Sequence, residues 1–185
     1  MSSHAFATSG DHCPYIPVFG PPQVMFVRGK GTELWDADGK RYLDFLCGIA
    51  VTSLGHSNPV IADAISKQAQ TLMHVSNFFA NPVATETAVL INQLLGGSGQ
   101  VFFCNSGLEA NEAALKLARK HGYLKGLAAS KTIVFEGAFH GRSIATLSAT
   151  SNPKVHKGFA PLVEGFVRLP LNQIDQVRQA VVKDP

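Results

Sequence analysis

The sequence predicts an α/β fold with a mostly parallel sheet covered on both faces, and two observations carry that expectation. Short apolar runs, Val101-Phe102-Phe103 and Lys131-Thr132-Ile133-Val134-Phe135, alternate with longer stretches of helical periodicity. Val101-Phe102-Phe103 and Ile133-Val134-Phe135 also read as continuous apolar stretches rather than alternating ones, as strands covered on both faces do. Phe166-Val167-Arg168-Leu169 is a candidate third strand, with Asn172 capping a helix over 173–183.

Upstream, residues 1–23 form an extended arm, because Pro14, Pro17, Pro21 and Pro22 forbid regular structure. Residues 24–55 read as a β-meander. Val24-Met25-Phe26-Val27 is one strand, turned by Gly29-Lys30-Gly31. Glu33-Leu34-Trp35-Asp36 follows, and Asp38-Gly39 is a hairpin signal before Arg41-Tyr42-Leu43-Asp44-Phe45. The glycine-punctuated stretch 48–55 connects it to the next unit, residues 56–185. Asn58-Pro59 and Asn81-Pro82 each place a capping side chain before a proline at the first helical position. The second helix, over 83–95, stops at Gly96-Gly97. Between the two, His74 to Phe79 is a loop whose paired aromatics read as buried packing.

The most informative segment begins at Cys104-Asn105-Ser106-Gly107. Ser106 stands at an N-cap position with Glu109 three residues on, a capping box. The first amides of such a helix lack intrahelical partners and sit at the positive end of its dipole, so a phosphate fits there without a basic side chain. Gly107 leaves the backbone open to a ligand oxygen. Glu112 and Lys116 are spaced as an i,i+4 pair, Arg119, Lys120 and His121 suit the C-terminal end, and Gly122 supplies the stop. The same capping box also opens ordinary helices, and Glu109 competes with a bound anion.

Composition limits the function classes. Hydrophobic residues make up 45% and charged residues 16% of 185 residues, as in a globular protein. The net charge of +3 is scattered, without basic-aromatic interleaving, so nucleic acid is not an expected partner. No apolar run is long enough to span a membrane, and the first ten residues lack a secretory pattern. Cys13, Cys47 and Cys104 stand far apart, which suits reduced thiols in the cytoplasm and offers no metal-ligand spacing.

Ligands of open parallel sheets bind beyond the carboxyl ends of the strands. The loops 104–109 and 136–142 both follow such ends, so they are expected to face one crevice. Phe139 offers a ring to stack on an aromatic cofactor, His140 a polar neighbour, and Arg142 a fork for a carboxylate. Each also has a structural reading: core for Phe139, scaffold for His140, a surface ion pair for Arg142.

Four motifs in order, Gly48-Ile49-Ala50-Val51 with Leu54-Gly55-His56, His74-Val75-Ser76-Asn77, Phe103 to Ala113, and Phe139-His140-Gly141-Arg142, resemble the class III aminotransferases, above all their acetylornithine group. The resemblance runs from about Pro21 to the last residue. It implies a fold-type I architecture, with 24–55 in a small domain and 56–185 opening the large one. It implies pyridoxal 5′-phosphate as cofactor and transfer of the terminal amino group of N-acetylornithine to 2-oxoglutarate, by a cytoplasmic homodimer of arginine biosynthesis. Ser106, Gly107 and Leu108 match the turn that grips the cofactor phosphate, Phe139 the stacking aromatic, and Arg142 the arginine for the substrate carboxylate. The loop 75–79 is similar to a segment near the dimer interface.

Two departures stand out. Leu108 replaces a smaller residue, at a position that acts through its amide. The family also runs to about twice this length, and the lysine of the Schiff base and the aspartate at the pyridine nitrogen match nothing here. No catalytic residue is therefore assigned, and the chain is expected to be an N-terminal half, inactive alone. Ornithine, succinylornithine and 4-aminobutyrate transfer are the neighbouring activities. A shortened, non-catalytic paralogue that binds phosphate or a partner subunit is the alternative of another class.

Overall fold

The computed structural model describes residues 15, 16, 18–20 and 22–183. The arm expected over 1–23 lies largely outside the described residues, as does Cys13. The chain forms two compact units, Met1–Pro82 and Val83–Pro185.

In the first unit β1 (Phe26–Lys30), β2 (Glu33–Asp36) and β3 (Arg41–Leu43) make an antiparallel meander in the order β1-β2-β3. β1 runs further than expected, through Gly29 and Lys30, because Lys30 pairs with Glu33 and the Arg28 guanidinium lies 3.7 Å over the Trp35 ring. Asp36 organises the β2–β3 turn: its carboxylate accepts from the Asp38 amide at 3.0 Å, the Lys40 amide at 2.9 Å and the Tyr42 hydroxyl at 2.8 Å. Burial works to raise its pKa, but these donors and the Lys40 charge outweigh it and hold the carboxyl below its ordinary value.

The connection after the meander contains a strained turn. In α1 (Cys47–Ala50) all four residues have positive φ, including β-branched Ile49 at 62°. Left-handed backbone costs an L-residue roughly 1–2 kcal/mol. Asp44 holds the turn's entry, accepting from the Leu46 amide at 2.9 Å and the Cys47 amide at 2.8 Å, while its second oxygen meets His56 Nε2 at 2.7 Å. His56 also exchanges backbone bonds with Gly31, and Ser57 donates to the Gly29 carbonyl. These ties bind His56 and Ser57 to the meander. α2 (Pro59–Thr71) follows, with Asn58 Oδ1 accepting from the Val60 and Ile61 amides as its expected cap. The loop after it departs from expectation. Phe78 and Phe79 are 91% and 70% exposed, so this pair is not buried packing.

α3 (Pro82–Leu94) leads into the second unit, which contains α4 (Gly107–Leu124), β4 (Thr132–Phe135), α5 (Ile144–Ala149), α6 (Pro153–His156), β5 (Phe166–Leu169) and α7 (Ile174–Lys183). β4 and β5 pair in parallel, Thr132 with Phe166 through Phe135 with Leu169, so the expected parallel α/β sheet is present. The strand expected at 101–104 is not. A strand exists through its ladder, and this segment has no ladder partner among the described residues; Phe102 and Phe103 are both exposed.

Two further expectations are corrected. α4 does not stop at Gly122 but runs two residues on, and Gly126, at φ 82°, follows the helix. Gly122 is buried against Ser130, where a β-carbon would overlap the hydroxyl, so this glycine serves close packing instead of termination. Asn172 takes φ 63° in the turn ahead of α7, and the Gln173 carbonyl accepts the first helical bonds in its place.

The core of this unit is α5, a six-residue helix that the periodicity did not reveal. Thr146, Leu147, Ser148, Ala149 and the following Thr150 are all buried. Its hydroxyls are satisfied: Ser148 Oγ donates to the Ile144 carbonyl and accepts from the Val163 amide, and Thr150 Oγ1 donates to the Thr146 carbonyl. Its C-terminal carbonyls are covered by Arg168, which donates to Ser148 and Thr150, and by His156 Nε2, which donates to Leu147 and Thr150.

Candidate functional site

Ser106 caps α4 as expected: it is extended (φ −156°, ψ 158°), and its hydroxyl accepts from the Glu109 amide at 3.2 Å. The box is not reciprocal. The Glu109 carboxylate accepts from the Asn105 amide at 2.6 Å and the Asn105 side chain at 3.2 Å, one residue before the cap. Ser106 Oγ, its carbonyl and Glu109 thus account for the amides of Glu109, Ala110 and Asn105. The amides of Gly107 and Leu108 have no acceptor among the described residues. Open space surrounds the position a β-carbon on Gly107 would take. Such a helix mouth binds anions through its backbone.

The second loop leaves the carboxyl end of β4 and is strapped at both sides. Gly137 donates to Ser151 Oγ at 2.7 Å, and His140 donates to Thr150 Oγ1 at 3.0 Å. Asn111 Nδ2 donates to the His140 carbonyl at 2.8 Å, and the Ser143 hydroxyl donates to Glu112. Gly141, buried at φ 133°, lets the chain pass α4 closely: a β-carbon there would lie 3.1 Å from Leu108 Cγ and 2.5 Å from Thr146 Oγ1. The Leu108 side chain is therefore turned to this loop while its amide stays at the helix mouth. The two loops singled out in the sequence meet through these contacts.

Phe139 is 65% exposed, so its ring is not core, and the Arg142 guanidinium stands 5.7 Å from the ring centroid. His140 is held by its backbone, and its Nε2 is buried without a hydrogen-bond partner. Sequence reasoning missed Asn111 and Glu112 as the residues that join α4 to the loop. The i,i+4 pair of Glu112 with Lys116 does not form; the carboxylate is taken by Ser143 instead. No local signal distinguishes a partner 31 residues away in sequence from one a helical turn away.

The arrangement fits a phosphorylated aromatic cofactor. Two free amides at a helix mouth suit phosphate oxygens, an exposed phenyl ring suits a heteroaromatic plane, and a guanidinium beside it suits a carboxylate.

Residues 17–183 match the family Aminotransferase class-III. An acetylornithine aminotransferase of Caldanaerobacter subterraneus is 50% identical over 159 residues, which are 85% of this chain and 40% of that protein. An ornithine aminotransferase structure from Toxoplasma gondii superposes with a TM-score of 0.85 at 30% identity, over 92% of this chain and 41% of its own. A second structure of that enzyme, described with partial occupancy of PLP at the active site, gives a TM-score of 0.82 at 31% identity, over 94% of this chain and 40% of its own. The chain spans about two fifths of the length of these relatives.

Proposed function

Because this chain belongs to the class-III aminotransferase family, whose architecture is fold-type I, we propose that the mouth of α4 holds pyridoxal 5′-phosphate and that the whole enzyme moves the terminal amino group of N-acetylornithine to 2-oxoglutarate. The observation that carries the reading is the pair of acceptor-free amides at Gly107 and Leu108, joined to the Phe139–Arg142 loop through Asn111 and Gly141. The 50% identity to an acetylornithine aminotransferase supports the substrate. The shape likeness to an ornithine aminotransferase favours ornithine as the second reading.

When bound, the cofactor supplies an electron sink for breaking bonds at the amino-bearing carbon. This chain's residues bind and orient. The Gly107 and Leu108 amides take phosphate oxygens, with Ser106 fixing the helix start. Glu109 is engaged by Asn105, which leaves those amides to the ligand. Phe139 covers one face of the pyridine ring and keeps water from it. Arg142 grips a substrate carboxylate through two parallel N–H donors, fixing the amino group relative to the ring. Residues 24–55 belong to the small domain and 56–185 to the large one. No lysine here stands in the context of the covalent anchor, so the 185 residues alone do not transaminate.

The whole enzyme is a cytoplasmic homodimer in this reading. The exposed Phe78 and Phe79 support an interface there. No helix among the described residues is long and apolar enough to cross a membrane.

Gly107→Pro tests the phosphate site. Proline is accommodated at the first helical position but deletes the N–H assigned to the ligand. Titration with pyridoxamine 5′-phosphate should show affinity reduced roughly tenfold, one charge-assisted hydrogen bond, with helix content unchanged. Unchanged affinity would refute the assignment. Exchange of amino groups from N-acetylornithine against ornithine by the whole enzyme decides the substrate.

A further inference from the structure

Arg142 lies exposed between two anchored neighbours. On one side Gly141 is buried, and its backbone passes so close to Leu108 and Thr146 that no β-carbon fits. On the other side the Ser143 hydroxyl donates to the Glu112 carboxylate, which can only accept. Thr146 Oγ1 lies 2.7 Å from Ser143 Oγ, and with the Ser143 proton committed to Glu112 the Thr146 hydroxyl is the donor of that bond. Thr146 is fully buried, so the relay from Thr146 through Ser143 to Glu112 is fixed at both ends.

Ser143 gives up an ordinary role to join this relay. It stands at the N-cap of α5 in extended backbone, where a serine hydroxyl commonly accepts from an amide of the first turn. Its side chain makes no such bond and reaches instead to α4, 31 residues away in sequence. The partners on α4 form one face. Leu108, Asn111 and Glu112 stand three and four residues apart, so their side chains share one side of the helix. Asn111 takes the His140 carbonyl and Glu112 the Ser143 hydroxyl, one on each side of Arg142. The mouth of the same helix carries the Gly107 and Leu108 amides assigned to phosphate. α4 thereby sets the distance between its phosphate-binding end and the guanidinium.

We propose that Glu112 is a positioning residue for the substrate carboxylate, an inference that rests on the assignment of that carboxylate to Arg142. Glu112 itself touches neither substrate nor cofactor. Through Ser143 it holds the Arg142 backbone at one place relative to the phosphate. A substrate whose carboxylate and amino group are correctly spaced then reaches the guanidinium and the ring together. Loss of the tether lets the guanidinium wander, at a cost confined to ligands that bear the carboxylate.

Calorimetric binding of glutarate, a dicarboxylate with no reacting carbonyl, to the whole enzyme loaded with pyridoxamine 5′-phosphate tests it. Glu112→Ala should weaken glutarate about tenfold and leave pyridoxamine 5′-phosphate affinity within about twofold. Glu112→Gln keeps an acceptor for Ser143 and should recover most of the loss. Ser143→Ala removes the same bond from the loop side, so it should match Glu112→Ala and add little to it in the double variant. In steady state, Glu112→Ala should raise the KM for N-acetylornithine more than it lowers kcat. Turnover of N-acetylputrescine, which lacks the carboxylate, should be unchanged. Glutarate affinity unaltered in Glu112→Ala, with Arg142→Lys still weakening it, would overturn the role of Glu112 alone. Glutarate affinity indifferent to Arg142→Lys would overturn the carboxylate assignment and this inference with it. Equal losses toward N-acetylornithine and N-acetylputrescine would make Glu112 a purely structural residue and overturn the inference too.

Discussion

The Arg142 guanidinium stands over the Phe139 ring, 5.7 Å from its centroid, so the residue assigned to the substrate and the residue assigned to the cofactor touch each other. A cation at that distance is attracted by the ring face. Phe139→Leu should therefore weaken pyridoxamine 5′-phosphate binding about tenfold, through lost stacking, and also loosen Arg142. Arg142→Lys should leave cofactor affinity within about twofold and reduce 2-oxoglutarate affinity about tenfold in the whole enzyme, because an ammonium has no planar fork. Calorimetric titration of both ligands against both variants measures the coupling.

Asn111 acts on the site from outside it. Its amide bonds the His140 carbonyl and sets the loop against α4. Asn111→Ala should cost about 1–2 kcal/mol in thermal unfolding and weaken cofactor binding, with α4 intact by circular dichroism.

Gly122 is set against Ser130 more closely than any β-carbon permits. Gly122→Ala favours helix by intrinsic propensity, yet here it should destabilise the second unit by about 1–3 kcal/mol. Gly122→Ala combined with Ser130→Gly should restore most of the loss in urea unfolding.

Acid should release the strained turn of α1. The hydrogen bond from His56, with the Cys47 and Leu46 amides, holds the Asp44 carboxyl below its ordinary value despite its burial. A carboxyl depressed on folding contributes stability that is complete above roughly pH 4 and is lost as pH falls through the depressed value. Unfolding midpoints of the wild type should therefore drop as pH falls below roughly 4, a drop that Asp44→Asn should reduce while lowering the neutral-pH value.

Much of this was legible where chemistry is local. The Asn58 cap, the Ser106 cap and the Asp38-Gly39 turn need only a few neighbouring residues, and each formed as its side chains dictate. β4 and β5 were legible because β-branched and aromatic runs of that length have few other uses. The segment 101–104 has the same composition, but a strand also needs a partner, and composition does not supply one. Gly122 misled because a glycine near a helix end serves termination or close packing equally well, and only Ser130 decides. α5 stayed hidden because its small and hydroxylated residues have no amphipathic period; Val163, Arg168 and His156 determine its place from far along the chain. In the candidate site the Ser106 cap was readable from residue types, whereas the roles of Asn111 and Glu112 were not, since their partners lie in another loop.

The heart of the second unit is a knot of hydroxyls and carbonyls more than a pool of hydrocarbon: among the described residues Thr146, Ser148 and Thr150 are buried there beside the side chains of Val134, Leu147 and Ala149. Exposing such a core to water adds little apolar hydration. Calorimetry should accordingly give this unit a heat-capacity increment per residue below the ordinary value of about 12–15 cal/mol/K, and a stability curve that bends only gently with temperature.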